Sequence, residues 1–166
     1  ALFWLWFWLK EDKRKPEPAS ILFRAFMAGG LAVILAYYLE KLVCSNTGFL
    51  NALNIPLSFS WDCLRSLWIG MPILFSWSLI EELVKFLAFV LVIWPHRDFD
   101  EPIDAMIYMT TIAIGFAAIE NSLFLLNTAM EQSSRTYFLL TGNFRFLGAT
   151  ILHIVSSSLV GYFIGR

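Results

Sequence analysis

The chain has 166 residues, 58% of them hydrophobic and 15% charged, with a mean hydropathy of +0.67, against the roughly 45–50% apolar usage of soluble domains. Its apolar runs approach the ~20 residues that a 30 Å hydrocarbon core requires, which leaves no room for a separate soluble domain. A net charge of −1 lacks the basic excess and the aromatic–basic interleaving that hold nucleic acid, so no nucleic-acid partner is expected.

In chain order, residues 1–9 read as the end of a first span, with Trp4, Trp6 and Trp8 approaching the headgroup level where indoles concentrate. They lack the basic n-region and small-residue cleavage site of a signal peptide, and look like the tail of a helix whose beginning is missing. Lys10, Lys13, Arg14 and Lys15 then make a polar, basic-biased loop, which the positive-inside rule places in the cytoplasm. A second span runs from about Ile21 to Val43, and its Gly29-Gly30 pair permits close helix approach. The connection from Cys44 to Trp61 falls on the outer side. Cys44 and Cys63 flank it: in an oxidising compartment they can be bridged, and two unpaired cysteines fit the pattern equally.

The third span, about 64–94, carries Glu81, Glu82 and Lys85 near its middle, and Pro72 kinks it or marks its start. Residues 95–103 form a cytoplasmic polar turn. The fourth span, about 104–129, carries Glu120 and Asn121; residues 131–143 read as a second outer loop; the fifth span, about 144–164, carries His153 and Ser157. The expected fold is therefore an all-α, polytopic transmembrane helix bundle of about five spans, forming one domain over 1–166, with the first and last spans cut.

A charge at the bilayer centre costs about 2.5–3.5 kcal/mol on insertion scales, so an intramembrane ionisable residue is a functional-site hypothesis by default. Glu81 and Lys85 are i, i+4 on one helix face, the spacing of an ion pair, while Glu82 is rotated by about 100°. A pair lowers the cost of burial but leaves the second carboxylate unexplained; two adjacent acids titrate as a coupled unit, which suits a general base or acid. His153 and Ser157 are likewise i, i+4. Asn121 offers an amide to a developing oxyanion. If the embedded part of the third helix begins near Ile73, then Glu81, Glu120 and His153 lie at about the same depth, 8 or 9 residues from the outer surface.

Each group also has a plainer explanation. The Glu81/Lys85 pair can be a polar clamp between helices, and a single histidine is more often an interhelical hydrogen-bonding group than a catalyst. Ser156 to Ser158 are commonly small packing residues, with no Gly-x-Ser-x-Gly elbow to mark a nucleophile. Arg145 is expected to snorkel to the interface and Asp104 to sit at a helix N-terminus.

Taken in order, Glu81-Glu82-x-x-Lys85, Phe116-x-x-x-Glu120-Asn121, and Arg145 followed by His153-x-x-x-Ser157 resemble the PrsW-type intramembrane proteases, relatives of the CAAX prenyl endopeptidase and Abi group. The likeness covers about Trp77 to Gly161. The CAAX branch has Arg after its Glu pair, His where Glu120 stands and Asn or Asp where Ser157 stands, so the likeness points to the PrsW branch and away from prenylated substrates. It implies an endopeptidase of a bacterial plasma membrane that hydrolyses a peptide bond of a membrane-anchored protein or peptide, such as an anti-sigma factor. Glu81 or Glu82 would activate the water, Glu120 and His153 would complete the site, and Asn121 or Ser157 would assist the oxyanion, with Lys85 and Arg145 in support. The family has been described both as glutamate-dependent and as metal-dependent. A divalent metal such as zinc would take Glu82, Glu120 and His153, although there is no His-Glu-x-x-His and one His with carboxylates is a poor zinc set. Two other classes remain open at this level. An ion- or proton-coupled carrier would use the same carboxylates as a relay, but the sequence has no internal repeat; a non-enzymatic membrane scaffold would tolerate isosteric replacement.

Overall fold

The computed structural model describes residues 17–46, 67–96, 99, 101–130 and 135–166. The regular elements among them are helices: α1 (Ala19–Asn46), α2 (Leu67–Val92), α3 (Pro102–Met130), α4 (Arg135–Phe144) and α5 (Thr150–Gly165), with a π-helical turn over Arg145–Ala149 joining the last two. The all-α class is as expected. Three described stretches are long and apolar enough to cross a membrane, Ala19–Val43, Pro102–Met130 and Phe138–Gly165. α2 has 26 residues but carries Glu81, Glu82 and Lys85 in its second half. The expected span over 1–9 and the Cys44–Cys63 pairing lie outside the described residues and side chains.

The described chain divides into two compact units, one formed by residues up to Val33 with Lys85–Arg166, the other by Ile34–Val84. In the first unit, Ile21, Leu22 and Ala25 of α1, Phe89 of α2 with Ile93 just after it, and Ala105, Tyr108, Met109 and Ile112 of α3 belong to one buried apolar cluster. The Phe99 ring stands edge-on to Phe89 at 5.6 Å, and the Tyr108 hydroxyl donates to the Glu17 carboxylate. α3 lies between α1 and α5. Glu17 meets Tyr108 and Gly30 meets Ile119, so α1 and α3 run in the same direction; Gly165 meets Pro102 and His153 meets Glu120, so α5 runs back along α3.

Glycine sets how closely these helices approach. A Cβ on Gly29 would fall 2.0 Å from the Ile112 carbonyl oxygen, and one on Gly115 would fall 2.0 Å from that of Phe26. Between lipid-immersed helices there is no hydrophobic force to spend, and association rests on such close backbone packing. The same device seats α5, where a Cβ on Gly161 would lie 2.6 Å from the Ala105 oxygen.

α3 begins as its sequence dictates. The Asp104 carboxylate accepts the Glu101 N–H at 2.7 Å while the Asp104 N–H donates to the Glu101 carbonyl at 3.1 Å, a reciprocal cap of the first turn. Pro102, the first helical residue, occupies the position where a missing N–H costs nothing. Asp104 is thus the helix-start residue that the sequence indicated.

α2 starts at Leu67, close to the expected start of the third span, so Pro72 lies inside the helix, where it forgoes one ladder bond. One boundary differs from expectation. Residues 135–143 are helical rather than loop. The apolar Phe138-Leu139-Leu140 run carries the last span outward, and Gly142 alone does not break it. In the second unit, Glu81 and Glu82 sit half-buried on α2, and the Tyr37 and Tyr38 rings meet edge-on at 5.5 Å on α1.

Candidate functional site

Three helices of the first unit converge on one polar network. Lys85 of α2 is wholly buried, and its Nζ lies 2.9 Å from His153 Nδ1 on α5. His153 Nε2 lies 2.9 Å from Glu120 Oε2 on α3. Glu120 Oε1 accepts from Arg145 Nη2 at 2.5 Å, and Arg145 Nε donates to Asn121 Oδ1 at 2.9 Å. Asn121 Nδ2 donates to Thr150 Oγ1 at 3.1 Å, and that hydroxyl donates to the Arg145 carbonyl at 3.3 Å.

Donor chemistry fixes the protons. An ammonium has three donors and no lone pair, so Lys85 donates and His153 Nδ1 accepts. A neutral imidazole then carries its proton on Nε2, where it donates to the Glu120 carboxylate. With Lys85 as the donor the two interactions specify one tautomer, and the imidazole is held from both sides.

The Phe116 ring forms the apolar floor. It lies one turn before Glu120 on α3, with its centroid 5.4 Å from that of His153 and 4.7 Å from Lys85 Nζ. A cation over a desolvated ring gains about 2 kcal/mol, which partly offsets the loss of water around Lys85. Beside the network a half-open cavity of about 270 Å³ has Asn121 and Thr150 in its wall and the small residues Ala117, Ala118, Ser122 and Gly142 around them.

The structure therefore brings together Lys85, Glu120, Asn121, Arg145 and His153. Ser157 is buried one turn beyond His153 on the same face of α5. Glu81 and Glu82 belong to the second unit, four and three residues before Lys85 on α2. Arg145 does not snorkel: it is turned inward onto Glu120. Thr150 escaped the sequence reading altogether, although its position three residues before His153 puts it on the same helix face.

Fold and site define a polytopic helical membrane protein whose ionisable side chains form a hydrogen-bonded network across three helices. The chain belongs to the PrsW family, described as intramembrane metalloproteases, whose model matches residues 17–166. Among similar proteins are the protease PrsW of Oceanobacillus iheyensis, 27% identical over 150 residues, covering 90% of this chain and 58% of that protein, and that of Geobacillus kaustophilus, 28% identical over 161 residues, covering 97% and 60%. The Bacillus subtilis protease PrsW is 26% identical over 165 residues, covering 97% and 62%. The chain thus spans about three-fifths of the length of these relatives. No solved structure matches it.

The family description raises the question of a metal. The donor set does not fit one in this arrangement. Both His153 nitrogens and both Glu120 oxygens are engaged, and their partners include an ammonium and a guanidinium. A divalent cation would have to displace Lys85 from Nδ1 or Arg145 from Oε1 and then sit beside the displaced charge. Among the described residues, no group of three or more His, Cys, Asp or Glu is placed to hold an ion.

Proposed function

We propose that this chain carries the catalytic site of an intramembrane endopeptidase, which hydrolyses a peptide bond of a membrane-anchored protein at the plasma membrane of a bacterium. The observation that carries this reading is the Lys85–His153–Glu120–Arg145 network, with Lys85 and His153 buried and Glu120 and Arg145 partly so, between helices of a chain of the PrsW family. Buried ionisable groups in a membrane span are expensive and are kept for function, and relatives over nearly the whole chain are named proteases.

In the reaction, the carboxylate of Glu81 or Glu82 takes a proton from water, and the resulting hydroxide attacks the scissile carbonyl carbon. The carbonyl π electrons move to oxygen and form a tetrahedral oxyanion. The donors of Lys85, with Asn121 or Ser157, answer that charge in a site of low dielectric, where preorganised donors are worth most. When the C–N bond breaks, the leaving nitrogen takes the proton that the glutamic acid received. Glu120 holds His153 in one tautomer throughout, as the orienting carboxylate of a triad does.

Glu81→Gln and Glu82→Gln, made separately, test the assignment by cleavage of a co-expressed single-span substrate with protein level as control. Loss of cleavage in one of them identifies the base; unchanged cleavage in both refutes it.

A further inference from the structure

Arg145 precedes His153 by eight residues, and in an unbroken α-helix that spacing would turn its side chain about 80° away from the histidine. The helix is not unbroken. Across Arg145–Ala149 it is π-helical, and the Thr150 N–H reaches the Arg145 carbonyl, an i to i+5 closure that holds one residue more than an α turn. That residue absorbs about 100° of rotation and returns Arg145 to within about 20° of the His153 face. The extra residue bulges toward open space: Gly148 is exposed, and a Cβ there would meet nothing within 4 Å.

A π turn has poorer geometry than the α turn it replaces, and such turns recur at functional sites. Here the return is specific. The guanidinium fork spans two successive residues of α3, with Nη2 on Glu120 at 2.5 Å and Nε on Asn121 at 2.9 Å. Its plane is backed by the Phe124 ring, 4.1 Å from the guanidinium carbon. The Thr150 hydroxyl bonds both the Asn121 amide and the Arg145 carbonyl, so the turn and the fork are tied to each other.

We propose that Arg145, carried onto the site by this π turn, is a positioning residue that fixes the Glu120 carboxylate and the Asn121 amide against His153. The inference rests on the hydrolytic reading above. A lysine cannot replace the fork, because an ammonium is a point donor without the two parallel N–H directions of guanidinium.

The test uses the full chain in detergent or nanodiscs with a single-span substrate, and thermal unfolding to confirm the fold of each variant. Arg145→Ala should lower kcat by about 100-fold with KM within about threefold. Methylguanidinium should restore part of kcat and methylammonium should not; Arg145→Lys should stay low. Deletion of Gly148 closes a regular turn and leaves Arg145 facing the site, so cleavage should persist, whereas one alanine inserted between Leu147 and Gly148 should abolish it. Wild-type kcat in folded Arg145→Ala, an effect confined to KM, equal rescue by the two cations, or loss of cleavage on deleting Gly148 overturns the proposal. Cleavage that survives both Glu120→Gln and His153→Gln overturns the hydrolytic reading and this inference with it. Cleavage lost in those two but kept in Arg145→Ala overturns this inference alone.

Discussion

Glu120→Gln changes one atom's hydrogen-bonding sense, and the network has no way to absorb it. Glu120 accepts from His153 on one oxygen and from Arg145 on the other. A glutamine has one acceptor and one donor end. If its oxygen faces Arg145, its NH₂ faces the His153 Nε2–H; moving that proton to Nδ1 only transfers the conflict to the Lys85 ammonium 2.9 Å away. If the amide is turned over, its NH₂ faces the Arg145 guanidinium instead. Every arrangement leaves one pair of opposed donors, and the wholly buried Lys85 and the partly buried Arg145 lose a nearby carboxylate. Leaving a partly buried group opposed in this way costs about 1–3 kcal/mol. Arg145→Gln withdraws the opposing guanidinium, so the double variant Glu120→Gln/Arg145→Gln should be more stable than the sum of the singles by about 1.5–3 kcal/mol. Equilibrium unfolding in mixed detergent–dodecyl sulfate micelles, followed by tryptophan fluorescence, gives all four corners of the cycle. A coupling energy within about 0.5 kcal/mol of zero, or a Glu120→Gln chain as stable as the parent, would show that the network does not hold these protons.

Other variants separate packing from chemistry. Gly29→Ala places a methyl 2.0 Å from the Ile112 carbonyl oxygen and should destabilise the fold by about 1–3 kcal/mol, while Gly148→Ala, with open space around it, should leave unfolding unchanged. Lys85→Met removes a wholly buried ammonium; because relief of charge burial offsets the lost hydrogen bond, stability should hold while kcat falls by about 10²–10³. Preincubation with EDTA or 1,10-phenanthroline should leave cleavage intact, and a loss that zinc restores would refute the donor-set reasoning.

Much of the site was legible because helical spacing is a local property. Phe116 and Glu120, or His153 and Ser157, share a face wherever the helix lies, and their burial follows from the apolar spans around them. Partner choice was less accessible. The i, i+4 rule speaks only to neighbours on one helix, and the bond of Lys85 to His153 joins residues 68 apart in sequence and depends on how α2 meets α5. The resemblance named Arg145 as a supporting residue while its place near a span end suggested snorkelling; what the sequence did not show was the π turn that brings it onto Glu120, since no nearby proline or charge pattern announces it. The helical run over 135–143 was read as loop because its polar residues were weighed more heavily than the apolar Phe138-Leu139-Leu140 at its centre.

The wholly buried Lys85 also bears on how the protein enters the membrane. The three charges of α2 cost about 8–10 kcal/mol on a translocon scale, while its fifteen Leu, Ile, Val and Phe side chains return about 5–9 kcal/mol. Alone in lipid, α2 is therefore close to indifferent between spanning and staying out. The partners of its lysine, Phe116 and His153, are synthesised later, so α2 is expected to commit to the bilayer when α3 and α5 arrive. In a chain ending after α2, a glycosylation reporter placed behind α2 should show the helix left on one side of the membrane, and in the chain extended through α5 it should show α2 spanning, which makes completion of the polar network the step that turns insertion into a stable fold.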